Sequence, residues 1–313
     1  MFKFNQFNNA VKSWAIKFID ICLVSVLLLL IAVTSLHAEE VTLKYKGLTL
    51  NANLTMAEGK SFKDGIVLVL HGLMAHNKME IISTVQQALL DNEMNSLAIN
   101  LSLGVDNRHG FFDCTAPHRH KQESAVKEIG AWVGWLRDKG VTKVILLAHS
   151  RGANQAMVYA VEEKDPEVSH LVMLAPGAGE KVKLLYKERY GKSLDQTLAV
   201  AQLQIAEGRG GELMQDIDIV ICPKASVTAD TFMSYYSEGN KFRKFKTYLP
   251  RISIPALVVT GTMDERQPET VALLSSIIDG EHTQLSVIEG AGHFFRDFNI
   301  EEAIEATVEF INE

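Results

Sequence analysis

The chain has few cysteines and prolines and no excess of positive charge. It contains three cysteines, seven prolines and 21 glycines in 313 residues, and no internal repeat or low-complexity tract is evident. This composition argues against a collagen-like chain, and the 47% of hydrophobic residues argues against disorder or a coiled coil. The formal charge of −7 argues against a general nucleic-acid binder. We therefore expect a globular protein of one or two domains, large enough to bury its core without disulfide bonds.

The longest uncharged apolar run lies near the N-terminus. Residues 21 to 33, ICLVSVLLLLIAV, follow three lysines and precede a short polar stretch that ends at Ala38. This layout is typical of a secretory signal peptide, and the run is shorter than the ~20 apolar residues that a membrane-spanning helix needs. We predict that residues 1–38 are a signal peptide, with cleavage after Ser35, an uncleaved N-terminal anchor and a buried helix as alternatives. Cleaved or anchored, the body is predicted to be exported: periplasmic, secreted or membrane-anchored.

Removal of residues 1–38 changes the charge and the cysteine content of the chain. The segment carries three lysines and one aspartate, a net +2, so the remaining body has a formal charge of −9. Cys22 leaves with the segment, whereas Cys114 and Cys222 remain in a compartment that permits disulfide bonds. Two thiols are consistent with one bridge or none.

Short apolar runs predict the sheet. Alternation of apolar and polar residues over 41–54 indicates an antiparallel hairpin. Continuous apolar runs, typical of parallel strands buried on both faces, follow at 66–70, 95–101, 143–149, 170–175, 256–261 and 284–290. Helical patterns at 77–91, 122–138 and 298–312 lie between or after them, so an α/β sheet is expected. Residues 178–250 interrupt this alternation with helix-like segments, and we predict that they form a helical cap inserted between the two parts of the core, 39–177 and 251–313.

Ser150 occupies a position typical of an enzyme nucleophile. The predicted strand 143–149 runs directly into Ala148-His149-Ser150-Arg151-Gly152, and a helical pattern follows from Asn154. A serine at such a tight strand-to-helix turn has a strained backbone and an exposed hydroxyl, and the first N–H of the helix faces the position where an oxyanion forms. Taken alone, the pentapeptide is a weak signal, and a serine that caps a helix is the alternative.

A carboxylate and a histidine follow in the chain order expected of a catalytic triad. Asp264 comes just after the strand-like run 256–261, and His293 follows the run 284–290 on a glycine-containing loop. A lone aspartate or histidine would be interpreted as a surface or satisfied polar group. Three matches in order, at the ends of three successive strands, favour a Ser150–Asp264–His293 triad. His293 would take the Ser150 proton, and Asp264 would orient His293.

The step His71-Gly72 follows the first of the buried strands. A second oxyanion N–H is expected after this strand, and the backbone N–H of Leu73 is the candidate that would pair with the N–H of Arg151. We interpret His71 itself as a histidine that braces the loop by hydrogen bonding.

These residues resemble the α/β-hydrolase superfamily. The resemblance rests on His71-Gly72, the pentapeptide 148–152, Asp264 and His293, and it covers the whole mature region. It implies a mostly parallel eight-stranded sheet with helices on both faces, a cap between the sixth and seventh strands, and hydrolysis without a cofactor. The place of the cap is similar to the esterase, monoacylglycerol-lipase and serine-aminopeptidase branch. Ala148 replaces the usual first glycine, as in some bacterial lipases, and a serine nucleophile argues against the dehalogenase and epoxide-hydrolase branches.

The histidine-rich segment 104–121 has more than one interpretation. Its ligand types, Asp113, Cys114, His118 and His120, do not have a standard metal-site spacing, so we predict a loop at the active-site mouth and no metal site. A bridge between Cys114 and Cys222 would tie this loop to the cap, and we state it as a hypothesis.

The cap holds an aromatic cluster interleaved with cations. Phe232, Tyr235 and Tyr236 would line a substrate pocket or form the cap's own core. The cations are Lys241, Arg243, Lys244, Lys246 and Arg251. They would meet an anionic substrate or a membrane surface, or simply form a solvated basic face.

Two classes of function therefore remain open. The first is an exported serine hydrolase acting on carboxylic esters, acylglycerols and other lipid esters included, with an amidase or peptidase as its alternative. The second is a non-catalytic binding protein on the same fold. The expected partner is a small-molecule or lipid ester and not a nucleic acid, and the pattern does not predict an oligomeric state.

Overall fold

The structure is a computed structural model that describes residues 38–177, 181–266 and 270–313. The predicted signal peptide or anchor lies outside the described residues, apart from Ala38. Among the described residues, no helix is both long enough and apolar enough to cross a membrane.

The described residues contain ten strands. They are β1 (Glu39–Tyr45), β2 (Leu48–Thr55), β3 (Ile66–Leu70), β4 (Ser96–Asn100), β5 (Val144–His149), β6 (Val168–Leu174), β7 (Leu213–Ile219), β8 (Cys222–Thr228), β9 (Ala256–Gly261) and β10 (Thr283–Ile288). Eight of them form one sheet in the order β1-β2-β4-β3-β5-β6-β9-β10. Only the pairs β1–β2 and β2–β4 are antiparallel, so the sheet is mostly parallel, as predicted.

Helices cover both faces of this sheet. Those that the structure describes are α1 (Glu80–Asp91), α2 (Gln122–Asp138), α3 (Arg151–Glu162), α4 (Val182–Tyr190), α5 (Leu194–Ala206), α6 (Ala229–Tyr236), α7 (Phe245–Tyr248), α8 (Thr270–Ser275) and α9 (Asn299–Asn312). Short 3₁₀ helices lie at Phe62–Asp64, Lys241–Arg243 and Leu249–Arg251. Helix α2 ends where the sequence predicts, because Gly140 adopts a φ of 84° that side-chain-bearing residues rarely take.

The continuous apolar runs form two separate cores. In β3, Leu68 and Leu70 face one core with α2 and α3, whereas Val67 and Val69 face the other core with α1 and α9. Successive side chains of a strand point to opposite faces, so a strand with both faces covered must be apolar at every position. All five residues of β3 are buried.

The insertion between β6 and β9 is not only helical. It contains α4, α5 and α6 together with the antiparallel hairpin β7–β8, which has its own core with these helices. Register shifts interrupt the hairpin, and Asp216, Val220 and Lys224 have positive φ. These irregularities disturb the alternation of polar and apolar residues, which explains why the sequence pattern did not predict the two strands.

The predicted cap range, 178–250, does not coincide with the residues that pack together in the cap. Phe242, Phe245 and Tyr248, within the predicted cap range, pack on the main core. Conversely, Phe112, from the loop after β4, packs in the core of the cap. The same loop pairs with β8, because His118 N–H donates to Ser226 O at 2.8 Å. The loop and the cap therefore form one packed unit above the sheet.

Candidate active site

Ser150 lies in the tight turn between β5 and α3. Its φ of 55° and ψ of −124° are unusual for a residue with a side chain and cost of order 1–3 kcal/mol. The Ser150 N–H donates to Leu174 O at 2.8 Å, which ties the turn to β6. A Cβ atom on Gly152 would lie 2.4 Å from His71 O, so the turn requires glycine at that position. The backbone therefore has the strained strand-to-helix geometry expected of a nucleophilic serine.

The side chains of Ser150, His293 and Asp264 form a continuous chain of hydrogen bonds. Ser150 Oγ lies 2.9 Å from His293 Nε2, and His293 Nδ1 lies 2.8 Å from Asp264 Oδ2. Asp264 and His293 are each 4% exposed. Because the carboxylate accepts a hydrogen bond from Nδ1–H, Nε2 is left as the acceptor for the serine hydroxyl proton. The three residues that the sequence singled out are thus brought together in the geometry of a general-base-activated nucleophile.

Close packing of two loops sets the distance between Asp264 and His293. Asp264 follows β9 and His293 follows β10, which are adjacent parallel strands. A Cβ atom on Gly261 would lie 2.0 Å from Ala291 O, and Met263 N–H donates to the same oxygen at 2.9 Å. The ends of the two strands can approach this closely only with glycine at position 261.

The backbone N–H groups of Leu73 and Arg151 are the predicted oxyanion donors. Gly72 brings the first of them to the site, because a Cβ atom there would lie only 3.1 Å from Ser150 Cβ. In the described residues the backbone hydrogen bonds involve the N–H of Ser150 and of Ala75, but not the N–H of Leu73 or Arg151. Both groups are therefore available to a ligand, as an oxyanion hole requires.

His71 braces the loop that carries Leu73. Its Nδ1 lies 2.7 Å from Gly72 O, and its Nε2 accepts from Leu101 N–H at 3.1 Å. Nδ1 therefore carries the proton. Burial lowers the pKa of His71 to about 3, with a contribution from the positive charge of Arg108. His71 is thus neutral at ordinary pH and joins this loop to the end of β4.

Arg108 holds the same loop through hydrogen bonds to backbone and side-chain oxygens. The sequence pattern did not predict this residue. Its guanidinium is buried and donates to Leu101 O and Ala75 O at 2.8 Å and to Asn100 Oδ1 at 2.7 Å. A further bond reaches Gly110 O. Burial lowers the pKa of Arg108 to about 10, so it remains charged at neutral pH. Its position within the segment predicted to lie at the site mouth was the only signal that could have indicated this role.

Cys114 and Cys222 form a disulfide bond in the structure. Cys222 Sγ also lies 3.8 Å from Met74 Sδ, so the bridge contacts the residue that follows Leu73. Nearby, His118 and His120 are buried against Phe112. No group of three possible metal ligands occurs within the described part of the chain.

The three aromatic residues predicted to line a substrate pocket are buried in the cap. Tyr235 Oη hydrogen-bonds His120 Nε2 at 2.9 Å, and Tyr236 Oη accepts from Val220 N–H at 2.7 Å. Phe232 is fully buried. The Arg151 guanidinium lies 5.2 Å from the Tyr235 ring, so this tyrosine packs against the side chain next to Ser150. The lining of a pocket by these residues stays a prediction.

The predicted cations of the cap have different surroundings. Lys241 Nζ lies 2.5 Å from Glu162 Oε2, and the Arg251 guanidinium lies 4.6 Å from the Tyr248 ring. Burial lowers the pKa of Arg243 to about 10, and the nearby positive charge of Arg151 adds to the effect. Lys244 and Lys246 are exposed. The charge of Arg243 therefore interacts with that of Arg151, the residue that follows Ser150.

The order and direction of the strands are those of the α/β-hydrolase fold. Est1E from Butyrivibrio proteoclasticus is similar with a TM-score of 0.61 and 19% identity, over 88% of this chain and 99% of that chain. A monoacylglycerol lipase from Paleococcus ferrophilus is similar with a TM-score of 0.56 and 16% identity, over 84% and 98%. A dienelactone hydrolase from Anabaena variabilis is similar with a TM-score of 0.52 and 17% identity, over 88% and 98%. At these identities the likeness establishes the fold.

The chain belongs to the family described as protein of unknown function DUF1749, which matches residues 121–311. The matched region includes Ser150, Asp264 and His293. No curated protein matches the sequence.

Proposed function

We propose that this protein is a serine hydrolase that cleaves carboxylic esters through an acyl-enzyme on Ser150. The observation that carries the proposal is the chain of hydrogen bonds from Ser150 Oγ through His293 to Asp264, with distances of 2.9 and 2.8 Å. A serine hydroxyl is a weak nucleophile unless an adjacent base can take its proton. The strained turn and the free N–H groups supply the other two requirements, an accessible oxygen and donors for an oxyanion.

The reaction follows from the positions of these groups. His293 Nε2 takes the hydroxyl proton as Ser150 Oγ attacks the acyl carbonyl, and Asp264 stabilises the positive charge that develops on His293. The backbone N–H groups of Leu73 and Arg151 hold the negative oxygen of the tetrahedral intermediate. His293 then gives its proton to the leaving alcohol. A water molecule attacks the acyl-enzyme by the same route, which releases the carboxylic acid and returns the proton to Ser150.

Esters are the proposed substrates because several similar structures are esterases or lipases. Similar structures include a monoacylglycerol lipase, a dienelactone hydrolase and Est1E with ferulic acid bound. An amidase or peptidase would use the same triad and is the alternative. A non-catalytic binding protein on this fold would have no need for three aligned side chains or for a strained turn.

We also propose that the protein is exported. The apolar run at residues 21–33 supports this proposal, because it has the layout of a signal peptide or anchor. The disulfide bond between Cys114 and Cys222 supports it independently, because such bonds persist mainly in oxidising compartments.

Labelling with a fluorophosphonate probe tests the proposal. The full chain should be labelled, and mass spectrometry should locate the adduct on Ser150. Ser150→Ala should abolish the labelling. Ser169→Ala is the matched control, because this half-buried serine lies at the start of β6, at the opposite end of the sheet from the turn. No labelling of the wild type, or equal labelling of Ser150→Ala, would refute a serine hydrolase.

A panel of esters with graded acyl length, together with matched amides, tests the substrate class. Hydrolysis of esters with no measurable cleavage of the matched amides supports the ester assignment, and a preference for long acyl chains would indicate a lipase-like role. Amide cleavage at comparable rates would instead favour the amidase or peptidase.

A further inference from the structure

His149 precedes the nucleophile and contacts the loop of the base. The residue ends β5, and its side chain is 2% exposed. Its Nε2 lies 2.9 Å from the backbone oxygen of His293, which is 144 residues away in the sequence. The two rings pack with their centroids 5.0 Å apart. One hydrogen bond therefore connects the backbone of the base to the residue that is covalently bonded to the nucleophile.

The hydrogen bond defines the state of the His149 ring. A carbonyl oxygen can only accept, so Nε2 must carry the proton. Nδ1 is buried and has no hydrogen-bond partner among the described residues. Burial lowers the pKa of His149 to about 3, and the adjacent His293 contributes. The other charges that act on the ring come from Asp264 and Arg266, so His149 stays neutral at ordinary pH.

The same ring also borders residues 71–75, the loop that carries Leu73 and is called the oxyanion loop below. A Cβ atom on Gly72 would lie 3.4 Å from His149 Nδ1, next to its 3.1 Å approach to Ser150 Cβ. The Nδ1 side of the ring thus borders the loop that carries Leu73 so closely that a side chain at position 72 would meet it. A larger residue at position 72 or a displaced ring would change the place of the oxyanion donor relative to Ser150.

We propose that His149 is a positioning residue that aligns the base, the nucleophile and the oxyanion loop through one neutral imidazole ring. The inference rests on the proposed hydrolase function. The Nε2–H bond to His293 O holds the loop of the base against the turn, and the Nδ1 side of the ring borders Gly72. A buried acceptor without a partner is rare in proteins and calls for an explanation. Here Nε2 is the donor to His293 O, and the unpartnered Nδ1 is the ring atom that borders Gly72.

The chemistry of the site requires this ring to be neutral. His293 becomes positively charged when it takes the Ser150 proton. A second positive charge 5.0 Å away would oppose that step, whereas a neutral donor to the backbone oxygen does not. A positively charged side chain at position 149 would therefore impair the reaction.

The test compares His149→Phe with His149→Gln in the full chain. Phenylalanine fills most of the space of the ring but cannot donate, whereas glutamine retains an N–H donor. We expect His149→Phe to lower kcat by about 10- to 100-fold with KM within about twofold, because small displacements of catalytic groups have effects of this size. His149→Gln should recover kcat to within about fivefold of the wild type. The rate of fluorophosphonate labelling should follow kcat in both variants.

His170→Phe is the matched control. This histidine is half-buried in β6, where it contacts Ser169 and Phe310 away from the turn. It should change thermal stability but leave kcat within about twofold of the wild type. Kinetics are measured well below the melting temperature of each variant, with the fold checked by circular dichroism.

The outcomes separate this inference from the proposed function. If the wild type is labelled at Ser150 and His149→Phe keeps the wild-type kcat, the positioning role is overturned. The proposal of a serine hydrolase then still stands. Equal loss of kcat in His149→Phe and His149→Gln also overturns it, because the retained donor would then have no effect. If the wild type neither labels nor hydrolyses any ester, both proposals fail.

Discussion

Replacing Arg108 by methionine should destabilise the protein by about 3–5 kcal/mol. In the native structure its guanidinium satisfies three buried acceptors, Leu101 O, Ala75 O and Asn100 Oδ1, at 2.7–2.8 Å. Methionine has a similar length but no donor. Each acceptor left unsatisfied costs about 1–3 kcal/mol. Relief from burying a charge offsets part of this sum, so we expect a net loss near the value found when one partner of a buried charged network is removed.

The same substitution should also lower the activity. Ala75 follows Leu73 by two residues, and His71 Nε2 lies 3.4 Å from the guanidinium. Loss of Arg108 therefore releases both sides of the oxyanion loop. A displaced oxyanion donor should reduce kcat by about 10- to 100-fold with a smaller effect on KM.

Urea unfolding at 25 °C measures the first effect, and steady-state kinetics on an ester measures the second. Arg137→Met is the control, because this arginine is exposed and its ion pairs with Asp165 and Glu167 should contribute less than about 1 kcal/mol. Arg108→Lys keeps the charge but not the planar set of donors. Its free energy of unfolding should therefore lie between those of the wild type and Arg108→Met. A loss of less than about 1 kcal/mol in Arg108→Met, with unchanged kcat, would refute the role assigned to this network.

Three further predictions follow from the site and its surroundings. Asp264→Asn should lower kcat by about 10³- to 10⁴-fold without unfolding the protein, and stopped-flow or steady-state rates within tenfold of the wild type would contradict the triad. Replacement of Cys222 by serine breaks the bridge to Cys114, which spans 108 residues, and should cost up to about 4.7 kcal/mol in urea unfolding; reducing agent should destabilise the wild type but not the variant. His71 and His149 have folded pKa values of about 3, below the usual value of 6.5. The unfolded chain therefore binds more protons between these values, so the free energy of unfolding should be fully present above pH 6.5 and fall towards pH 3, by up to about 1.4 kcal/mol per pH unit for each histidine. A flat pH profile over this range would contradict the assigned neutral states.

The central strands of the main sheet were predictable because they are buried on both faces, whereas the edge strands β1 and β10 have half-buried or exposed side chains. A run such as residues 66–70 has no polar position, and the structure places all five side chains in one or the other core. The closing helix, predicted at 298–312, is observed as α9. The pattern was much less informative in the insertion. There the hairpin β7–β8 is bulged, so it lacks the regular alternation that would have indicated strands.

The site was predictable in part for a similar reason. Parallel strands end at one edge of the sheet, so polar residues that follow successive strands must lie near each other. This argument locates Ser150, Asp264 and His293 without any coordinates. It does not locate Arg108 or the ring of His149, because a buried polar residue has no periodic signature and its partners are distant in the sequence.

The order of apolar and polar residues along the chain is thus sufficient for the sheet, its covering helices and the three side chains at the strand ends. These features depend on local periodicity and on which strands are covered, and both are properties of short segments. Only the tertiary structure determines that the loop after β4 belongs to the cap, that Arg108 holds the oxyanion loop and that His149 touches both the base and Gly72. Those contacts join segments between about 30 and 145 residues apart, and they arise from the shape of the packed core rather than from any pattern that a single segment contains.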